Sequence, residues 1–143
     1  MRTMAMLLML LATLATPAFA TDGVLEIDQA CAMQTGCFAG DTAGFPVTIA
    51  ASGSYRLTSN LVVASTTANG ITMSVNNVAV DLNGFSVTGP GSGTGIGIQG
   101  FGTRFGYTVR NGFVRAMGGT GIELGRESQV RDVTTAEDRK SVV

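Results

Sequence analysis

The chain contains no histidine, and that absence removes more chemistry than any other feature of its composition. Without an imidazole there is no His general base, no Ser-His-Asp triad and no His metal ligand. Cysteine is nearly as scarce, with Cys31 and Cys37 the only two in 143 residues. Two cysteines and no histidine cannot furnish a Cys/His zinc site, so neither a metal nor a cofactor is expected. Their spacing also differs from the Cys-x-x-Cys of thiol redox sites. Charge is sparse and balanced: 13% of residues, nine basic against ten acidic, net −1. Nothing in that balance argues for nucleic acid or for an anionic membrane surface as a partner. From residue 70 onward no apolar set recurs at helical spacing, which argues against a helical domain.

What the chain has in quantity is glycine, 20 residues, together with an apolar content of 45%. That is too apolar for a disordered chain, and glycine-rich in the manner of turn-dense β proteins. The N-terminus carries an export signature. Arg2 supplies a basic start, residues 4–15 are an apolar run, Pro17 breaks it, and Ala18-Phe19-Ala20 is an A-x-A cleavage site. The run is too short for a comfortable membrane span. Residues 1–20 are therefore expected to be a signal peptide cut between Ala20 and Thr21, delivering the chain to the periplasm or outside the cell with no membrane association afterwards. In such a compartment Cys31 and Cys37 read as a disulfide. Its short loop makes it worth about 2 kcal/mol.

The stretch from Gly70 to Thr135 repeats itself. Gly70-Ile71-Thr72-Met73 returns as Gly95-Ile96-Gly97-Ile98 and as Gly121-Ile122-Glu123-Leu124. A second phrase, Val80-Asp81-Leu82-Asn83-Gly84-Phe85, is echoed by Val109-Arg110-Asn111-Gly112-Phe113 and by Val130-Arg131-Asp132-Val133. Apolar residues alternate within each phrase, and Gly, Asn or Ser ends each run, as short strands require. A period of about 25 residues marks units that bury their apolar faces only by stacking on one another. In such a stack Asn83, Asn111 and Asp132 form one turn column, because Asn and Asp tolerate left-handed backbone angles. The first two do not align without a one-residue bulge. A β-hairpin, the usual reading of Asn-Gly between alternating apolar residues, is the rival; it leaves the recurring Gly-Ile phrase unexplained.

These phrases, with Gly-Ser-Tyr-Arg-Leu-Thr-Ser-Asn-Leu at 53–61, resemble the right-handed parallel β-helix repeat proteins. Pectate lyases and the periplasmic copper-processing protein of nitrous oxide reductase maturation share that fold. The resemblance implies an all-β, right-handed parallel β-helix of roughly three to four coils. Residues 21–52 would be its N-terminal cap and residues 53–137 its coils. It says little about activity, because such folds host many functions.

Candidate sites rest on carboxylates and arginines. Arg110 and Arg131 precede Asn111 and Asp132 at matching places, so they are expected to stack as a basic column able to hold the carboxylates of an acidic polysaccharide. Arg110–Glu127 and Arg131–Glu123 surface pairs are the bland alternative. Asp81 and Asp132 are the carboxylates nearest to a stacked catalytic pair, two coils apart. Phe85 and Phe113 are expected as core rungs, and residues 89–94 and 99–106 as projecting loops. The leading function class is an exported carbohydrate-binding or structural module. The alternative is the N-terminal part of a polysaccharide lyase or glycoside hydrolase whose catalytic coils lie downstream. Residues 138–143, Asp-Arg-Lys-Ser-Val-Val, echo nothing. Read as GAT-CGG-AAG-AGC-GTC-GTG they match a common sequencing adapter, so a non-native tail is expected. Ile122, Leu124, Val130 and Val133 would then form an uncovered last rung, prone to self-association.

Overall fold

Strands run two to nine residues, and the two longest each carry a left-handed residue within them, Asn111 and Asp132. The structure, a computed structural model, describes residues 23–136; the expected signal cleavage at Ala20–Thr21 and the tail at 138–143 lie outside the described residues.

The first strand, β1 (Val24–Ile27), leads into a short helix, α1 (Gln29–Gln34). Asp28 caps that helix, its carboxylate accepting from the Cys31 amide at 2.7 Å. Then follow β2 (Val47–Ile49), β3 (Gly53–Leu57) and β4 (Leu61–Val62). The same three-strand phrase returns as β5 (Ile71–Met73), β6 (Val78–Asp81) and β7 (Ser86–Thr88). It returns again as β8 (Ile98–Gly100) and the long β9 (Tyr107–Arg115), and finally as β10 (Ile122–Glu123) and β11 (Gln129–Ala136).

Every pairing between these strands is parallel. β2, β5, β8 and β10 build a four-stranded sheet. β1, β3, β6, the first half of β9 and the first half of β11 build one limb of the larger sheet. β4, β7 and the second halves of β9 and β11 build its other limb. The chain visits four-stranded sheet, first limb and second limb in turn, and each visit lands one strand further along. A hairpin would pair β6 with β9 antiparallel; their register, Val78 opposite Tyr107 and Val80 opposite Val109, is parallel. The fold is thus β-rich, with parallel sheets and one short helix among the described residues.

Inward residues stack on inward residues. Tyr55, Val80 and Val109 are in lateral register and buried; so are Leu61, Val87 and Val114, and Ile71, Ile98 and Ile122. One continuous core therefore runs along the stack, as the alternation within each strand requires.

The structure corrects five sequence expectations. Ile71 lies opposite Ile98, so Gly97-Ile98 and not Gly95-Ile96 is the second copy of the Gly-Ile phrase. Gly70, Gly97 and Gly121 repeat one contact: the amides of Val47, Ile71 and Ile98 donate to their respective carbonyls at 2.9 Å. The bulge at the Asn turn is two residues and not one. Asp81 lies opposite Arg110, yet Ser86 lies opposite Phe113, so the four residues 82–85 face the two residues 111–112. Phe113 is consequently no core rung: it pairs with Ser86, and its ring lies under the Arg115 guanidinium, 4.4 Å from centroid to carbon. Phe85 is partly buried against the core. Residues 89–94 do not project freely, because Gly91 donates to Ala116 and Thr94 to Thr66, at 2.6 and 2.7 Å. Gln99 belongs to β8, so the second loop begins at Phe101.

Residues 21–52, expected as a cap, also contribute strands: β1 joins the first limb and β2 the four-stranded sheet. Between them Cys31 and Cys37 are disulfide-bonded, with Cα atoms 4.7 Å apart. The bond suits an oxidising compartment. Asp41 ties this segment down, its carboxylate accepting from the amides of Cys37 at 2.9 Å and Thr48 at 2.8 Å. The Phe38 ring packs on Tyr55 with centroids 5.0 Å apart. The Phe45–Pro46 peptide is cis.

Candidate functional site

On the outward side of the first limb, one position per strand carries charge. Glu26 lies opposite Arg56, Arg56 opposite Asp81, Asp81 opposite Arg110, and Arg110 opposite Arg131. Adjacent strands of a sheet sit about 4.8 Å apart, so these side chains form a continuous ladder along the stack. Signs alternate until the last step. Arg56 bonds Glu26 at 2.9 Å, and Arg110 bonds Asp81 at 3.0 Å. Both are surface pairs, worth under about 1 kcal/mol each. Arg131 breaks the alternation. It has no carboxylate partner among the described residues and donates instead to the Gln129 side chain.

Two residues away on each strand, the outward positions are small or short: Val24, Ser54, Ala79 and Thr108. The contrast leaves a shallow groove of about 140 Å³, with Ser54 and Ala79 among its lining residues and Arg56, Asp81 and Arg110 as its charged members. The Arg56 Nε is buried without a hydrogen-bond partner, and both Arg56 and Arg110 line the groove. The site therefore presents guanidinium groups beside a small recess.

The sequence-predicted residues fall as follows. Arg110 and Arg131 are brought together, in register and exposed. The expected Arg110–Glu127 partnership is replaced by Arg110–Asp81, and Arg131 bonds Gln129 and not Glu123. Asn83, Asn111 and Asp132 all have left-handed backbones, with φ of 53, 60 and 52°. The pairs on either side, Arg131 with Arg110 and Val133 with Gly112, put Asp132 beside Asn111. The amides of Asn83 and Asn111 do not bond one another. Asn83 donates to the Leu57 carbonyl at 3.2 Å, and Asn111 to the Asp81 carboxylate at 3.3 Å. Asp81 also accepts from the Asn83 amide at 2.8 Å, so its oxygens are committed to the turn and to Arg110. That leaves Asp81 a structural acceptor and offers no free carboxylate to work with Asp132. Among the described residues no three His, Cys, Asp or Glu side chains assemble as a metal site.

Glu26 and Arg56 were missing from the sequence reading. Their signal was the repeat itself: stepping back one strand from Asp81 along the first limb reaches Arg56, and one strand further reaches Glu26. No protein-family model, curated protein or solved structure matches this chain.

Proposed function

We propose that this chain forms the coils of an exported right-handed parallel β-helix and that the outward face of its first limb binds an acidic polysaccharide. The three-stranded repeat, the parallel pairing and the resemblance of about residues 45–135 to β-helix repeats support the architecture; parallel crossovers are right-handed almost without exception, which supports the hand. The export signature and the disulfide support the location.

The observation that carries the binding reading is the adjacency of Arg110 and Arg131 on one exposed face, with Arg131 free of any carboxylate among the described residues. A planar guanidinium takes a carboxylate through two parallel hydrogen bonds, and two guanidiniums one strand apart suit a polymer bearing regularly spaced carboxylates.

Titration calorimetry with polygalacturonate and with neutral dextran tests the reading. Binding of the acidic polymer alone is expected, weakening with salt and falling about tenfold in Arg131→Ala. Equal binding of both polymers, or of neither, would defeat it.

A further inference from the structure

We infer that the outer edge of β1 is a docking edge for β11 of a second copy of this chain. At the N-terminal end of the stack, two of the three strand columns are already closed. The Gln29 side chain bonds both backbone groups of Val62 in β4, its Oε1 accepting at 2.8 Å and its Nε2 donating at 3.2 Å. The Asp41 carboxylate accepts from the Thr48 amide in β2. The third column ends in β1, which pairs with β3 and has no second neighbour among the described residues. Leu25 reports the consequence. It is in register with Tyr55, which is 2% exposed, yet it is itself 39% exposed.

At the other end β11 pairs, among the described residues, only with β9. Val130 is partly buried where its register partner Val109 is fully buried. The edge therefore offers unpaired backbone groups and a half-covered apolar row.

What selects a second copy is the charge ladder. It runs Glu26, Arg56, Asp81, Arg110, Arg131, and its last member lacks a carboxylate among the described residues. Laying β1 of another copy beside β11 in parallel, with Leu25 opposite Val130, puts Glu26 opposite Arg131. The same step covers Leu25 with Val130 and extends the core by one rung. Sign alternation resumes across the junction, and the side-chain order inward and outward is the order every internal pairing already uses. Among the described residues each copy keeps one unpaired edge of β1 and one of β11, so the contact is head-to-tail and open-ended.

Sedimentation velocity on the full chain over a wide concentration range, in glycan-free buffer, tests this separately from polysaccharide binding. A progressive series of dimers, trimers and longer species is expected. Glu26→Arg alone and Arg131→Glu alone should each weaken association about tenfold or more, because each places like charges together at the junction. An equimolar mixture of the two variants should recover it, since Arg at position 26 then meets Glu at position 131 and the native Glu26 meets the native Arg131. That recovery also separates a junction effect from damage to the fold or to the Glu26–Arg56 pair. A monomer at every concentration would overturn the inference. So would association that neither reversal alters, or reversals that weaken it with no recovery on mixing.

Discussion

Gly97 lacks a side chain because no space exists for one. A Cβ there would lie 2.4 Å from the Gly121 carbonyl oxygen and 2.4 Å from a Val114 methyl. Real carbon contacts do not approach so closely, and the obstruction on one side is backbone from the next rung. Gly97→Ala is therefore expected to destabilise by about 2–4 kcal/mol. Gly102→Ala, where a Cβ meets nothing within 4 Å, should change stability by less than about 0.5 kcal/mol. Paired urea melts check both. The buried tyrosines make a second prediction at this scale. Tyr55 donates to the Ala51 carbonyl at 2.6 Å and Tyr107 to the Met73 carbonyl at 3.1 Å. Burial pushes both hydroxyls above the ordinary tyrosine value, in Tyr107 against an opposing pull from the Arg104 charge. The native state thus holds these protons more tightly than the unfolded chain. Their contribution is complete below the unfolded tyrosine value, about 10, and is lost as pH climbs above it. Thermal melts should fall progressively above about pH 10, and Tyr107→Phe should flatten that fall while lowering stability at neutral pH.

At the scale of elements, the segment between α1 and β2 is held by few but specific bonds. Asp41 alone satisfies two backbone amides, of Cys37 and Thr48, from opposite sides of the loop. Removing its carboxylate leaves both donors part-buried. Asp41→Ala should cost about 2–3 kcal/mol, and Asp41→Asn, which retains one acceptor oxygen, should cost less; chemical denaturation of both variants checks the order. This segment was also the least legible in the sequence. Val24–Ile27 and Val47–Ile49 are strands of the stack, yet neither carries the Gly-Ile or Asn-Gly phrase, because each opens a column and has a partner on one side only. Where a strand lies between two others, close packing writes itself into the sequence as glycine at the tight contact and Asn or Asp at the left-handed turn. Those positions, with buried Val80, Leu82 and Val109, could be read directly. Register could not. Gly95-Ile96 and Gly97-Ile98 are equivalent as text, and only the approach of Gly97 to Gly121 chooses between them. The pairing of Arg110 with Asp81 was missed although the shared phrase already aligns Val80-Asp81 with Val109-Arg110, and the adjacency of the two arginines was visible in the same phrase.

On the scale of the whole molecule, one chain visits three strand columns in fixed order, and its charge ladder is a product of register and not of local sequence. Everything proposed for the outward face depends on that register, including a two-residue change of offset along β9 between its pairing with β6 and its pairing with β7. Inter-strand nuclear Overhauser effects on isotope-labelled chain test it most directly. The account predicts contacts between the backbone protons of Val80 and Val109, and of Val87 and Val114, in the parallel pattern, so that the offset shortens by two residues across the Asn83 turn. Close α-proton to α-proton contacts of antiparallel pairing between residues 78–81 and 107–110, or a single unbroken offset from Val80 through Val87, would contradict it.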